Sequence, residues 1–305
     1  QKYKLEFGQA ACITRCLMRI NDINRYYRVI FIILVAVLIA GMTTITSPTV
    51  VGLPSATPAD RAMEDLTRVY YPSLATVKWR GHFVQPHETL ENMFGKDWVW
   101  VARMNRVDRR HVYPGMTIKV PKNMADIRGY SPMPKTYAPA RNHEKFILVD
   151  VAEQWLGAYE YGRLKLSMPA ATGKSGTETP LGMFRIDARH LTHTSSLYKT
   201  LDEQEQYPMD NALRFHIKDN VSYWIHARDL PGKPASHGCI GLYDEEMQNR
   251  VYGVPDHPVL LDSQRLYDWA VGDAEFGEDD GILDELEGGA TVEIRGELPR
   301  TAPPV

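Results

Sequence analysis

The amino-acid sequence predicts a mostly β domain of the sandwich or barrel type, preceded by a small α+β unit and by an apolar N-terminal helix. Three observations lead to this prediction: an unbroken apolar run at residues 29–40, the order strand, helix, helix, strand within residues 82–122, and many short alternating segments from Lys145 onward. Short strands at close spacing, with turn residues between them, are typical of β-sandwiches and barrels.

The N-terminal segment, residues 1–45, combines a basic stretch with the apolar run VIFIILVAVLIA. The run is shorter than the roughly 20 residues that a spanning helix needs, but it has the length of a secretory signal core. A buried core helix is the alternative, although such a helix would carry polar positions on one side. We therefore expect a signal or an uncleaved membrane anchor. The rest of the chain would be exported to the cell envelope, in the periplasm or on the outer face of the cytoplasmic membrane.

Charge and cysteine usage narrow the function. The net charge of -3 argues against a nucleic-acid partner, because phosphate binding needs a concentrated basic face. Two of the three cysteines, Cys12 and Cys16, precede the apolar run, so Cys239 is the single cysteine of the region expected to be exported. A free thiol is unusual in an exported protein. Cys239 is therefore either an inert buried side chain or a reactive group.

The α+β unit at residues 82–122 lies between two predicted linkers, residues 46–81 and the proline-rich residues 123–143. It resembles a LysM domain, and the matching pieces are Phe83-Val84, the helix start at Glu88-Thr89-Leu90, Asn105, and Pro114-Gly115 before the closing strand. The resemblance implies binding to glycan strands built on N-acetylglucosamine. A unit that has kept the fold and lost the glycan site is the alternative, because His87 and Glu88 replace the usual Gly and Asp. We expect a variant lacking residues 82–121 to lose glycan binding and to keep the chemistry of the domain that follows.

Residues 144–298 form the predicted β domain, and two of its segments, SYWIHAR at 222–228 and ASHGCIGL at 235–242, carry chemistry. A cysteine is nucleophilic as a thiolate, which needs a base or a local positive field. His226 ends an alternating strand, and the proline-containing loop after it can fold it back against Cys239. His237 is the competing base, two positions before the cysteine. Gly238 lets the backbone approach a substrate closely, and successive N–H groups at such a turn can form an oxyanion hole.

The sequence gives weaker indications for a metal site and for a role of the remaining histidines than it gives for thiol chemistry at Cys239. A metal site built from His226, His237 and Cys239 is conceivable by ligand type, but thiol chemistry already accounts for this segment. We therefore expect neither a metal nor a cofactor. His190 and His193 are assigned to a polar loop, at the surface or in a substrate groove.

The two segments resemble the L,D-transpeptidase catalytic domain, also called the YkuD domain, whose signature is an upstream histidine, a loop and Ser/Thr-His-Gly-Cys. This chain has His226, a loop and Ser236-His237-Gly238-Cys239. Two further segments agree with the family, the glycine loop at 171–184 and the opening hairpin at 146–161. The resemblance implies these roles: Cys239 as nucleophile, His226 as base, the Ala227 carbonyl as its orienting group, and His237, Gly238 and Cys239 as structure and backbone N–H donors for the oxyanion.

The resemblance also implies a function. The enzyme would form an acyl-enzyme on Cys239 with a tetrapeptide stem of peptidoglycan and transfer it to an amine acceptor, and carbapenems would acylate the same cysteine. A cysteine L,D-carboxypeptidase and a non-catalytic peptidoglycan-binding protein are the alternatives. The chain departs from the family by a shorter loop after His226 and by Gly241 where Arg or Asn is common. Arg228, Ser236 and Gly241 are assigned to the substrate side, with Arg228 or Lys233 expected to bind the substrate carboxylate.

Overall fold

The computed structural model describes residues 65–200, 205–272 and 283–302. The basic stretch and the apolar run at 29–40 lie outside these residues, so the expected signal or anchor stays a prediction. Within the described ranges, no helix is long and apolar enough to cross a membrane.

The described ranges contain twelve strands and four α-helices, with short 3-10 helices between them. The strands are β1 (Trp79–Phe83), β2 (Thr117–Pro121), β3 (Phe146–Asp150), β4 (Trp155–Glu160), β5 (Arg163–Pro169), β6 (Gly182–Arg185), β7 (Ala188–Lys199), β8 (Gln206–Lys218), β9 (Val221–Ala227), β10 (Ile240–Leu242), β11 (Asp284–Glu285) and β12 (Thr291–Arg295). The helices are α1 (Leu90–Phe94), α2 (Trp98–Asn105), α3 (Glu245–Tyr252) and α4 (Asp262–Val271).

Two five-stranded sheets form the larger part of the fold. Their strand orders are β10-β9-β8-β7-β11 and β5-β4-β3-β12-β6. Neighbouring strands are antiparallel except in two parallel pairs, β9 with β10 and β3 with β12. Apolar side chains of both sheets share one buried core, in which Ile147 and Val149 of β3 join Ile225 of β9 and Ile240 of β10. The predicted mostly β domain with a sandwich core is therefore present.

Residues 79–121 contain strand, helix, helix and strand, in the order that the sequence predicts. β1 and β2 pair antiparallel, and α1 begins at a capping box in which Thr89 and Asn92 exchange side-chain and backbone hydrogen bonds. Asn105 ties α2 to β2: its side chain donates to the carbonyls of Val101 and Lys119 and accepts from the Lys119 N–H. The predicted helix and strand positions follow from these local signals.

The predicted linker at residues 46–81 is wrong for its described part. Leu66, Tyr71 and Leu74 are buried in a core that they share with β2 and α2. The same core includes Leu230 and Tyr243 of the β domain. Residues 66–74 are therefore packed into a core that the α+β unit shares with the β domain, and they do not form an extended linker.

The second predicted linker, residues 123–143, is also packed rather than extended through solvent. Ile127 belongs to the core just described. Met133 and Ala140 are buried against aromatic side chains on the outer face of β3 and β4, among them Trp155. Proline-rich sequence indicates extended backbone, but here the apolar residues between the prolines cover one face of a sheet.

Candidate active site

Strands β9 and β10 bring the two predicted catalytic side chains to the same place. β10 runs parallel to β9 with Gly241 opposite His226, and Cys239 stands directly before β10. Side chains two positions apart on a strand project from the same face. Cys239 and His226 therefore share a face, and both line a cavity of about 670 Å³.

The imidazole of His226 is held in one orientation. Its Nδ1 lies 2.6 Å from the carbonyl oxygen of Ala227. A carbonyl only accepts hydrogen bonds, so Nδ1 carries the proton and Nε2 carries the lone pair in the neutral ring. Burial, and then the charge of Arg228, lower the pKa of His226 to about 3. At neutral pH the ring is thus an uncharged base with Nε2 open for a proton, in the arrangement that the resemblance implies for Ala227.

Cys239 is half-buried and packs against the cluster formed by Met209, Ala212 and Trp224. Burial raises the pKa of its thiol, against smaller lowering effects of the Trp224 backbone and of Arg228. The protein therefore holds a neutral thiol and a neutral imidazole in the lining of one cavity. In such a pair the base removes the proton during the attack, and no thiolate accumulates beforehand.

The turn at 236–239 presents the cysteine. Gly238 has φ +114°, a backbone conformation that glycine adopts readily. Its N–H donates to Ser236 Oγ at 3.1 Å, and Ser236 Oγ donates to the Cys239 carbonyl. This occupied N–H argues against the oxyanion role expected for Gly238 and leaves the N–H groups of His237 and Cys239 for it. Ser236, with a fully buried side chain, holds the turn and also belongs to the cavity lining, and its assignment to substrate binding stays a prediction.

Gly241 makes room for Arg228. A methyl group at Gly241 would collide with the side chain of Arg228, and both backbone polar groups of Gly241 pair with Ala171 at 2.9 Å. Gly241 is therefore a packing position, and its assignment to substrate binding stays a prediction. The Arg228 guanidinium lines the cavity and donates through Nη2 to the Ala235 carbonyl at 3.0 Å. Its buried Nε has no partner among the described residues.

His190 and His193 lie on β7, not in the polar loop that the sequence suggested. Their rings are 5.1 Å apart, and the ring of His193 lies 4.5 Å from that of Trp224. His193 lines the cavity, and burial, followed by the neighbouring His190, lowers its pKa to about 4. Among the other lining residues, the ring of His237 stacks on Tyr198, with ring centroids 4.2 Å apart.

Most of the lining residues had no signal in the sequence, among them Arg110 and His111 from the α+β unit, Tyr207 from β8 and Tyr252 from α3. Arg110 lies 3.7 Å from the ring centre of Tyr252. Its side chain donates to Asp229 at 3.3 Å. Local patterns cannot place residue 110 beside residue 229, because only long-range packing joins them.

Asp108, His111 and Asp229 offer ligand atoms within 4.8 Å of one another, a grouping that could suit a metal ion. The carboxylate oxygens already accept protein donors. Asp108 accepts from the Leu230 N–H, His111 and Gln248, and Asp229 accepts from Gln248 and Tyr252. The grouping is therefore a hydrogen-bond network between the α+β unit and the β domain.

The lowered pKa of His226 predicts acid sensitivity. Below the ordinary histidine pKa of 6.5, this histidine is protonated in the unfolded chain, whereas in the folded chain it stays neutral down to about pH 3. The free energy of unfolding therefore falls as the pH drops through this window. The free energy of unfolding should fall on the order of 2 kcal/mol between pH 8 and pH 5 from this residue. Urea unfolding at both pH values should show a smaller loss in His226→Gln. The exposed His257→Gln should keep the parental loss, and an equal loss in all three proteins would contradict the prediction.

One known protein family matches the part of the chain that contains His226 and Cys239. Residues 144–270 match the family model described as YkuD, the L,D-transpeptidase catalytic domain. None of the curated proteins compared with the chain matches it. The match does not extend to residues 82–122, so a LysM-type glycan-binding role is not supported by it.

Similar solved structures are L,D-transpeptidases. The protein from Stackebrandtia nassauensis is 19% identical over 68% of this chain and 69% of its own, with a TM-score of 0.38. The one from Xylanimonas cellulosilytica is 20% identical over 65% and 78%, also at 0.38. L,D-transpeptidase 1 of Mycobacterium tuberculosis is 17% identical over 50% and 62%, at 0.32. By its family match, the region 144–270 carries the YkuD L,D-transpeptidase catalytic domain that the sequence motifs predict.

Proposed function

We propose that this protein is a peptidoglycan L,D-transpeptidase that forms an acyl-enzyme on Cys239. The observation that carries the proposal is the placement of Cys239 and His226 in one cavity, with the Nδ1 of His226 bonded to the Ala227 carbonyl. This leaves Nε2 as the base. The envelope location of peptidoglycan agrees with the export that residues 1–45 predict.

The first half-reaction follows from these roles. Cys239 Sγ attacks the carbonyl carbon between the third residue and the terminal D-alanine of a tetrapeptide stem, while His226 Nε2 takes the thiol proton. The carbonyl electrons move to the oxygen, which the N–H groups of Cys239 and His237 stabilise. When the intermediate collapses, the C–N bond breaks, His226 returns the proton to the leaving amine, and D-alanine departs from a thioester.

The second half-reaction reverses these proton movements. The amine of an acceptor stem attacks the thioester carbon, and His226 takes one of its protons. The C–S bond then breaks and the proton returns to Cys239. If a water molecule took the place of the acceptor amine, the same site would act as a hydrolase.

Incubation of the full chain with purified tetrapeptide and stem-dimer fragments tests the proposal. Mass analysis should show D-alanine release together with cross-linked product. Release of D-alanine with a free tripeptide alone would favour the carboxypeptidase. Intact substrate with folded protein would contradict both and favour a binding protein.

Arg228→Ala should raise KM for stem peptides by roughly 10–100-fold, which corresponds to the 1.5–3 kcal/mol of a hydrogen bond to a charged group. The physical reason is that Arg228 is a cation on the cavity wall beside Cys239, and guanidinium suits a carboxylate. Steady-state kinetics give KM and kcat separately. The control is Arg163→Ala, an exposed arginine on β5. An unchanged KM in Arg228→Ala would leave the substrate carboxylate to another residue, with Lys233 next in line.

Glycan binding by residues 82–122 remains part of the proposal. It is supported by the strand, helix, helix, strand order and by the exposed ring of Phe83 on β1. Sedimentation of the full chain with insoluble peptidoglycan tests it, and a chain that stays in the supernatant would contradict it. The structure speaks against the deletion that the sequence suggested, because removing residues 82–121 would also remove contacts to the loop between His226 and Cys239.

A further inference from the structure

The loop 228–236 joins the proposed base to the proposed nucleophile, and its middle is held from outside the β domain. The Leu230 N–H donates to Asp108 Oδ2 at 2.7 Å, and the Leu230 carbonyl accepts from the Asp108 N–H at 2.9 Å. The Gly232 N–H donates to the Arg106 carbonyl at 3.0 Å, and its carbonyl accepts from the Tyr71 hydroxyl at 2.7 Å. All four backbone polar groups of these two loop residues are thus bonded to residues 71–108.

Packing reinforces the hydrogen bonds. Leu230 is fully buried in the core of the α+β unit. A methyl group at Gly232 would lie 2.6 Å from the Leu66 side chain and 3.1 Å from the Asn105 carbonyl oxygen, so Leu66 packs where only glycine leaves room. Pro231 forms an isolated β-bridge with Val107. The middle of the loop, residues 230–232, is therefore packed closely against residues 66–107.

The two ends of the loop have different supports. At its start, the Arg228 N–H donates to the Leu242 carbonyl, which continues the pairing of β9 and β10. At its end, the N–H groups of Ala235 and Ser236 donate to the Thr172 carbonyl at 3.1 Å. The β domain thus fixes the ends, and the α+β unit fixes the residues between them, directly after Arg228.

Asp108 is the central contact. Its side chain is fully buried and also accepts from Gln248 Nε2 at 2.9 Å and from the His111 N–H at 2.9 Å. One carboxylate therefore joins the loop, helix α3 and its own short 3-10 helix, which begins after Asp108. The two residues that follow Asp108 by two and three positions, Arg110 and His111, reach the catalytic cavity itself.

We propose that residues 65–127 are a component of the active site, and that Asp108 is the positioning residue that fixes the loop and, through it, Arg228. The kinetic part of this inference rests on the proposed transpeptidase function. Without the Asp108 carboxylate, the Leu230 N–H and Gln248 lose a shared buried acceptor. The loop then shifts and takes Arg228 away from the substrate carboxylate.

The test compares Asp108→Ala with Asp97→Ala in the full chain. Asp97 is a matched control because it belongs to the same unit and pairs with Arg128 at the surface, away from the loop. Two readouts are used: steady-state kinetics with a synthetic tetrapeptide stem, and amide hydrogen exchange at Leu230 and Gly232. Tyr71→Phe removes the bond to the Gly232 carbonyl with little change of shape and carries the test if Asp108→Ala fails to fold.

Asp108→Ala should raise KM about tenfold with a smaller change in kcat, and should speed exchange at Leu230 and Gly232 by about tenfold or more. In the Arg228→Ala background the same change should raise KM less than about twofold, because the interaction of Arg228 with the substrate carboxylate is already lost there. Asp97→Ala should match the parent in both readouts. Tyr71→Phe should speed exchange at Gly232.

Two outcomes would overturn the inference. One is an amide exchange rate at Leu230 and Gly232 that equals the parent's in a folded Asp108→Ala protein. If that protein does not fold, an exchange rate at Gly232 that equals the parent's in Tyr71→Phe has the same meaning. The other is a KM effect of Asp108→Ala that adds fully to that of Arg228→Ala. A parent that does not turn over stem peptides would refute the proposed function instead, and the exchange measurement would still decide whether Asp108 holds the loop.

Discussion

A carbapenem incubated with the full chain should give one covalent adduct, mapped to Cys239, and His226→Ala should form it about 10²–10⁴-fold more slowly. The reason lies in the neutral resting pair: burial keeps the thiol protonated, so attack depends on a base that removes the proton in the same step. His237→Ala should cost less, because its ring stacks on Tyr198 at the cavity wall. Intact-mass kinetics and peptide mapping measure these rates.

The controls separate base chemistry from general damage. Cys239→Ser should form no adduct. His143→Ala should react at the parental rate, since this ring packs against Phe146 in a different part of the fold. A His226→Ala protein that reacts as fast as the parent would remove His226 from the mechanism and make His237 the next candidate base.

Gly238→Ala should slow adduct formation by about 10²-fold, the scale expected when a reacting group is displaced by roughly 1 Å. An added Cβ would lie 2.6 Å from the ring of Tyr223, and the φ of +114° strains any larger residue. The strain should also lower the free energy of unfolding by about 1–3 kcal/mol. Both effects follow from the turn that presents Cys239, and carbapenem acylation and urea unfolding measure them.

Gly176→Ala is the matched control for this substitution. Gly176 also has a positive φ, +86°, but no atom lies within 4 Å of an added Cβ. It should lose stability through backbone strain and keep the parental acylation rate. If Gly176→Ala slows acylation as much as Gly238→Ala, the contact with Tyr223 has no special part in placing the nucleophile.

Local sequence signals predicted a large part of this site. His226 at the end of β9 and Cys239 before β10 could be read from alternation, glycine and proline, because these features act within a few residues. The strand and helix order of residues 79–121 followed in the same way, through the cap at Thr89 and the turn at Gly115.

Features that depend on contacts between distant segments could not be read from the chain. The apolar residues between the prolines of 123–143 looked like linker until β3 and β4 supplied a surface to cover. Gly241 looked like a missing substrate ligand, but its lack of a side chain is what admits Arg228. Asp108 carried no signal in the sequence, because its partners Leu230 and Gln248 lie more than a hundred positions away.

The parallel pairing of β9 with β10 has a consequence for how the proposed catalytic pair, His226 and Cys239, keeps its spacing. Neighbouring strands lie about 4.8 Å apart because backbone hydrogen bonds set that distance, whatever side chains they carry. His226 is paired with Gly241 in this ladder, and Cys239 stands two residues before Gly241, directly before the first pair. The spacing of their backbones is therefore a property of the main chain, and side-chain changes elsewhere in the cavity should alter its shape without altering the gap that the proposed proton transfer would cross. A change that broke the ladder, such as a proline at Ile240, should widen that gap while every proposed catalytic side chain remained in the sequence.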